Sequence, residues 1–159
     1  SEIMKSVLFD FKTSKEPWFE TVSQLYLKKI NGFWNFEITT LKTLKQGRDD
    51  AASKKSFEEA ELLKKISNDD FIILFDETGR SLSSIQFSEQ LEKATISGKK
   101  RIVFIIGGAF GVGDEIKNKA HLKVGLSAMV MNHLVAETVA LEQIYRSLTI
   151  LNRIPYHNI

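Results

Sequence analysis

Two stretches of this chain are apolar without interruption and too short for long helices: Phe71-Ile72-Ile73-Leu74-Phe75, and Arg101 followed by Ile102-Val103-Phe104-Ile105-Ile106. A strand with no polar face must be covered on both sides, which a hairpin open to water cannot provide. Such strands belong to parallel sheets flanked by helices. The rest of the chain fits that frame. Val7-Leu8-Phe9-Asp10-Phe11 reads as a first strand, broken in its apolar run only by Asp10. Phe36-Glu37-Ile38-Thr39 alternates as a second strand. Pro17 opens a helix that carries Trp18, Val22, Leu25, Tyr26 and Ile30 at helical spacing and stops at Gly32.

Between these, Lys42 to Asp50 is polar and reads as a loose connection, and a charged helix runs through Phe57 and Leu63 to about Asn68. Asp76-Glu77-Thr78-Gly79-Arg80 reads as a polar turn. Ser83 or Ser84 can cap a helix with Ile85, Phe87, Leu91 and Ala94 on its apolar face. Then come a short helix over Asp114 to Lys119, an extended piece, and a long terminal helix from His133 to Leu151. Strand and helix alternate throughout, so the chain is an α/β protein with parallel strands, and residues 1–159 form a single domain.

Composition removes several chemistries. The chain has no cysteine, so a thiol nucleophile, a disulfide scaffold and a thiolate-held zinc are excluded. His121, His133 and His157 share no metal-ligand spacing, so no metal is expected. No apolar run reaches the roughly 20 residues of a membrane span, and with no signal peptide apparent the expectation is a cytoplasmic protein. The net charge is +2, from 22 basic and 20 acidic residues, and neither half is strongly basic. Charge alone does not announce a nucleic-acid binder.

The strongest local signal is Gly107-Gly108-Ala109-Phe110-Gly111-Val112-Gly113, directly after a buried strand. Ligands of open α/β sheets sit at the carboxyl ends of strands, which is this position. Gly108 and Gly113 have the spacing of a triphosphate-binding loop, but Asp114 and Glu115 follow where lysine and serine or threonine are needed. The dinucleotide pattern G-x-G-x-x-G is absent. The loop is either a tight structural turn or a pocket that holds a ligand by backbone contacts without gripping phosphate. Leu126-Ser127-Ala128-Met129-Val130-Met131 could pack around an adenine-sized ring or simply fill core, and His133 beyond it could cap the helix. The terminal helix is apolar over more than one stripe, which fits burial against a partner chain or the centre of a monomer.

Together, the ordered pieces Phe75-Asp76-Glu77-Thr78-Gly79, Ser83-Ser84, Phe104 to Gly111, Leu126 to Met129, His133, Glu142-Gln143-Ile144-Tyr145-Arg146 and Pro155-Tyr156-His157 resemble one family. This is the bacterial large-subunit rRNA pseudouridine N3-methyltransferases, the ribosomal methyltransferase H family of the SPOUT superfamily. Before Phe71 the likeness is thin and rests on Met4-Lys5, Lys12, Tyr26 and Lys28-Lys29. The resemblance implies one SPOUT-type α/β domain, a mainly parallel sheet flanked by helices, ending in a C-terminal trefoil knot. It implies S-adenosylmethionine held by Phe75, Gly107 and the run Leu126, Ser127, Ala128, Met129, Val130 and Met131, with Gly108 and Gly111 in the same loop. It implies a homodimer in which each site is completed by the partner's tail. The implied reaction is methyl transfer to N3 of a pseudouridine in an intersubunit hairpin loop of 23S rRNA, on the assembled ribosome. His133 and His157 then stand as candidates near the N3 proton, Tyr156 as a group that stacks on or orients the base, and Arg146 as a phosphate or site-holding cation. The alternatives are a knotted binder of the same cofactor that has lost catalysis, and a flavodoxin-like interaction module.

Two positions depart from the family pattern. Phe11 precedes Lys12 where a glycine is usual, and Glu137 stands where the family usually has arginine, four residues after His133. A carboxylate facing rRNA there would repel phosphate. With so little excess charge, the clusters Lys99-Lys100-Arg101 and Lys117, Lys119, Lys123 are left to supply the RNA contacts.

Overall fold

The computed structural model describes residues 3–11, 16–44 and 50–158. Lys12 and Asp49 lie outside the described residues. Five strands, β1 (Lys5–Phe11), β2 (Asn35–Leu41), β3 (Asp70–Ser81), β4 (Arg101–Ile106) and β5 (Leu122–Gly125), form one sheet in the order β2-β1-β4-β3-β5. Every neighbouring pair in that order is parallel. The helices are α1 (Pro17–Asn31), α2 (Ala51–Leu63), α3 (Ser84–Thr95), α4 (Asp114–Lys119) and α5 (His133–Leu151).

The doubly apolar strands explain the layering. Alternate residues of β1, β3 and β4 point to opposite faces. Leu8, Ile73, Phe75, Phe104 and Ile106 share one buried cluster with Leu91 of α3 and Ala140, Leu141, Ile144 and Leu148 of α5. Val7, Phe9, Ile72, Leu74, Val103 and Ile105 share the other with Leu62 of α2 and Ile116 of α4. Helices α1, α3 and α5 therefore cover one face and α2 and α4 the other.

Several local readings change. The polar stretch after Phe75 is not a turn at the end of a strand but part of β3, which runs on to Ser81. Val124 of β5 pairs with both Phe75 and Arg80, so residues 76–79 bulge out between two points of contact with the same strand. This register also explains Gly79, where a Cβ would lie 2.6 Å from the Val124 backbone. Gly79→Ala is therefore expected to cost about 2 kcal/mol and to lower Tm by about 4–8 °C. An unchanged melting temperature would show that the two backbones do not meet there. Helix α2 ends at Leu63, earlier than Asn68. Helix α3 begins with a reciprocal cap, Ser83 accepting from Gln86 N–H while the Gln86 side chain accepts from Ser83 N–H. Asn132, not His133, caps α5, its side chain accepting from the Leu134 and Val135 amides.

Candidate functional site

The carboxyl end of β4 and the start of the bulge in β3 open onto a cleft of about 90 Å³ lined by Phe75, Asp76, Glu77, Ile106, Leu126, Ser127, Met129, Val130, Met131 and Ala136. Six of the residues singled out in the sequence thus meet here: Phe75, Leu126, Ser127, Met129, Val130 and Met131. Ala128 lies in the same loop, within which the Met129 amide donates to Ser127 Oγ at 3.0 Å. Gly107 follows the lining residue Ile106 and is pressed on Gly111 and Val112, where a Cβ would meet the Gly111 carbonyl carbon at 2.9 Å. Gly111 adopts φ 77°, a left-handed conformation that glycine enters freely.

The other loop glycines answer to helix α2. A Cβ at Gly108 would stand 2.8 Å from the carboxylate of Glu58, itself buried and held by the Thr43 hydroxyl. Glu59 fills the space beside Gly113 and accepts from the Ile116 amide of α4 at 3.3 Å. Half of the glycine signal therefore records how α2 docks on the loop. Nothing in the local sequence points to these two carboxylates, which lie some fifty residues upstream.

The cleft suits a cation-bearing nucleoside cofactor held by peptide groups. Its walls are apolar, the loop carries backbone groups outside helix and sheet, and Asp76 and Glu77 stand at its edge. Carboxylates repel a phosphate-bearing ligand and favour a positively charged one. In charge and polarity the lining is compatible with S-adenosylmethionine, of which a cleft of about 90 Å³ takes only a part.

A second group of candidates lies at the far end of α5. The tail folds back through a helix-ending turn in which Arg153 takes φ 57°, its amide bonding to the Ile150 carbonyl and that of Ile154 to the Thr149 carbonyl. Arg153→Gly is expected to stabilise the protein by about 1 kcal/mol, read as a rise of about 2–4 °C in Tm. A fall would mean that the arginine side chain holds the turn. The reversal lays Tyr156 and His157 on their own helix. Arg146 sits 4.8 Å from the Tyr156 ring centre, and its Nη1 is 3.0 Å from His157 Nδ1. Tyr145 meets Tyr156 edge to face at 4.9 Å, and Tyr26 of α1 packs on Tyr145.

Glu142 organises this cluster, and sequence reasoning assigned it no role. Its carboxylate accepts from Arg146 Nε at 3.1 Å and Nη2 at 2.9 Å, from Tyr156 Oη at 2.8 Å and from Gln143 Nε2 at 3.0 Å. Burial pushes the Glu142 carboxyl up, but the hydrogen bonds from Arg146, Tyr156 and Gln143 outweigh it and hold the group below its usual range. Donation to Glu142 raises the Tyr156 phenol to about 12, so it stays protonated at neutral pH. The available signal was the helical i, i+4 spacing of Glu142 and Arg146.

The site candidates are thus not in one place. His133 begins α5 beside the cleft, whereas Arg146 is 13 residues on, about 20 Å along the axis at 1.5 Å per residue. The tail packs on the α1 side of α5. His133 Nε2, Glu137 Oε2 and Asp10 Oδ1 are buried with no hydrogen-bond partner among the described residues.

Glu137 requires a correction. It does not face solvent or RNA: it is buried, at 3% exposure, against Asp10 at the end of β1. Burial first, then the Asp10 carboxyl beside it, push Glu137 up to about 10, so it is a neutral acid in the folded chain. The basic cluster at 99–101 also changes meaning. Arg101 closes on the buried Asp70 carboxylate with two bonds of 2.8 Å, and Lys99 Nζ donates to the Asn68 carbonyl at 2.8 Å. Both lie at the start of β4, the opposite end of the strand from the cleft. Among the described residues no group of three or more His, Asp or Glu side chains could hold a metal ion. No helix there is long and apolar enough to cross a membrane.

Comparison with known proteins bears on this geometry. A family model described as "Predicted SPOUT methyltransferase" matches residues 4–157. The chain belongs to the SPOUT methyltransferase family. Among its relatives is the ribosomal RNA large subunit methyltransferase H of Bdellovibrio bacteriovorus, 54% identical over 156 residues, covering 98% of this chain and 100% of that one. The protein of the same name from Christiangramia forsetii is 35% identical over 148 residues, covering 92% and 94%. A solved structure of a probable methylase family protein from Haemophilus influenzae superposes with a TM-score of 0.55 at 12% identity, over 98% of this chain and 71% of that one. That likeness concerns the fold alone. In a SPOUT methyltransferase the apolar cleft at the end of β4 and the bulge of β3 is the candidate cofactor site.

Proposed function

We propose that this SPOUT methyltransferase works as a homodimer that methylates N3 of a pseudouridine in an intersubunit hairpin loop of 23S rRNA, using S-adenosylmethionine. The observation that carries this reading is the separation of the two candidate clusters. One chain holds an apolar cleft with His133 at the start of α5, and a Tyr156–His157–Arg146 cluster on the α1 side of the same helix, Arg146 standing about 20 Å along the axis from His133. A second copy can bring its tail to the first copy's cleft. The exposed Met129 and Val130 at the cleft, and Val135 on α5, give such a contact an apolar surface. The names of the relatives supply the substrate class.

Phe75, Leu126 and the Ser127–Met131 loop hold the cofactor, and Gly107, Gly108 and Gly111 shape the loop beneath it. Bound there, S-adenosylmethionine supplies an electrophilic methyl group. The chain's own residues align the acceptor nitrogen and exclude water, and positioning of this kind accounts for much of the acceleration. His133 accepts the N3 proton, or His157 of the partner subunit does so once its Nδ1, which here accepts from Arg146, is released. Tyr156 keeps its proton, which it donates to Glu142, and therefore acts as a ring platform and not as a base. Arg146, fixed by Glu142, holds His157 and the tail. A C-terminal trefoil knot is part of this reading, supported by the close backbone contact between β5 and residues 76–81. The reading of a binder without catalysis drew its support from a Glu137 facing RNA, and Glu137 is buried.

A net charge of +2 per chain, +4 for two copies, gives a dimer little hold on naked RNA. Labelled methyl from S-adenosylmethionine is expected to enter assembled ribosomes much faster than free large subunits or naked 23S rRNA. Equal rates on all three would remove the assembled surface from recognition, and no transfer to any, with calorimetric cofactor binding intact, would leave only a binder.

A further inference from the structure

A second cleft, of about 280 Å³, lies beside the first and shares Phe75 and Leu126 with it as a common wall. It opens on the α3 side of α5, and two polar side chains line it, Ser84 at the start of α3 and Gln143 on α5. Ser84 Oγ donates to Gln143 Oε1 at 2.6 Å, and Gln143 Nε2 donates to Glu142 Oε1 at 3.0 Å. The ionised Glu142 can only accept, so it fixes the amide with its NH2 toward Glu142 and its carbonyl toward Ser84. One Gln143 N–H and the lone pairs of Ser84 Oγ are then left without a partner among the described residues. A donor and an acceptor side by side complement a lactam edge, an N–H next to a C=O.

A uracil-type base has such an edge on either side of N3. If N3 receives the methyl group, it must point toward the shared wall and the cofactor cleft, and neither of those edges is free to be read. A third edge, N1–H with C2=O, exists only where the base is joined to ribose through carbon, because in uridine N1 carries the sugar. We propose that Ser84 and Gln143 bind the target base by its N1–H/C2=O edge and so select pseudouridine over uridine. Ser84 Oγ accepts the N1–H and Gln143 Nε2 donates to O2, while Phe75, Phe87 and Val139 enclose the ring. This assignment rests on the methyltransferase reading above and names the side chains that set its substrate. It also gives Glu142 a second task, since the same carboxylate orients Tyr156 and the base-reading amide.

The test compares kcat/KM on two ribosome preparations, one with pseudouridine at the methylated position and one from cells lacking the pseudouridine synthase, with uridine there. The wild-type protein is expected to prefer pseudouridine by about ten- to a hundredfold, because uridine set with N3 in the same place still gives Gln143 a carbonyl, O4, but turns C5–H instead of an N–H toward Ser84 Oγ, which is left unpaired in the closed site. Gln143→Leu is expected to lower kcat/KM about ten- to a hundredfold on both preparations, because each base offers it a carbonyl, and to leave the preference in place. Cofactor affinity stays within about twofold. Ser84→Ala keeps the amide and its bond to Glu142, and is expected to lower kcat/KM on pseudouridine but hardly on uridine, so that the preference collapses. Retention of the full preference in folded Ser84→Ala overturns the assignment, as does wild-type kcat/KM on pseudouridine in folded Gln143→Leu, or loss of cofactor binding in both variants, which would make this cleft part of the cofactor site. A wild-type protein that methylates neither preparation refutes the methyltransferase reading itself, a different result from a variant that methylates both alike.

Discussion

Replacing Tyr156 and His157 together by alanine is expected to lower kcat on assembled ribosomes by about 10²–10⁴-fold while S-adenosylmethionine binds within about twofold of wild type. The asymmetry follows from the placement of the two clusters. The cofactor cleft is built by Phe75, Ile106 and the Leu126–Met131 loop, none of which touches the tail in the same chain. The tail's interactions run to Arg146, Glu142 and Tyr145. Removing both side chains strips the base platform and one proton acceptor but leaves the cleft intact. The measurement is single-turnover methyl transfer alongside calorimetry of cofactor binding. A double variant that transfers methyl at the wild-type rate takes the tail out of the mechanism.

Glu137→Gln is expected to stabilise the protein more as the pH rises. Glu137 ionises near 4.5 in an unfolded chain and near 10 in the fold, where it is buried beside Asp10. A carboxyl whose folded value is raised contributes its full stability below about pH 4.5 and loses it as pH climbs toward 10, because the folded state must keep a proton that the unfolded state releases. The loss amounts to about 1.4 kcal/mol per pH unit over that window. The neutral amide does not titrate. The advantage of Glu137→Gln should therefore grow by about 4 kcal/mol between pH 5.5 and 8.5, read from urea denaturation midpoints of the two proteins. A difference that is flat with pH would show that Glu137 is ionised in the fold or open to water.

The same residue marks where the sequence stops being legible. The parallel sheet followed from two strands with no polar face, and the bounds of β4, α4 and α5 followed from apolar runs and glycine punctuation, because those signals are local. The burial of Glu137 is not local: the departure from arginine could be seen, but the only hint of its partner was Asp10, the one charge in an otherwise apolar strand. The continuation of β3 through Asp76–Ser81 was hidden for a like reason. Those residues are polar, and they are held as a strand by β5, some forty residues further on. Six cofactor candidates proved to line one cleft because they come from the start of the β3 bulge and a single loop. The glycines read as a ligand loop turned out to serve packing as well, with Glu58 and Glu59 of α2 lying where side chains at Gly108 and Gly113 would be. Glu142, by contrast, was within reach of helical spacing, since its bond to Arg146 is an i, i+4 pair.

The central claim is that the cleft of one copy works with the tail of the other, and mixed dimers test it most directly. His133→Ala, and Tyr156→Ala combined with His157→Ala, are each expected to leave a homodimer nearly inactive on assembled ribosomes. Unfolded and refolded together in equal amounts, half of the resulting dimers pair one variant with the other. Each such dimer regains a single intact site, the His133 of one copy facing the tail of its partner. The mixture should then recover about a quarter of wild-type activity, a quarter being one of two sites in half of the dimers. A mixture as inactive as its two components would contradict the account and place His133, Tyr156 and His157 in a site within one chain.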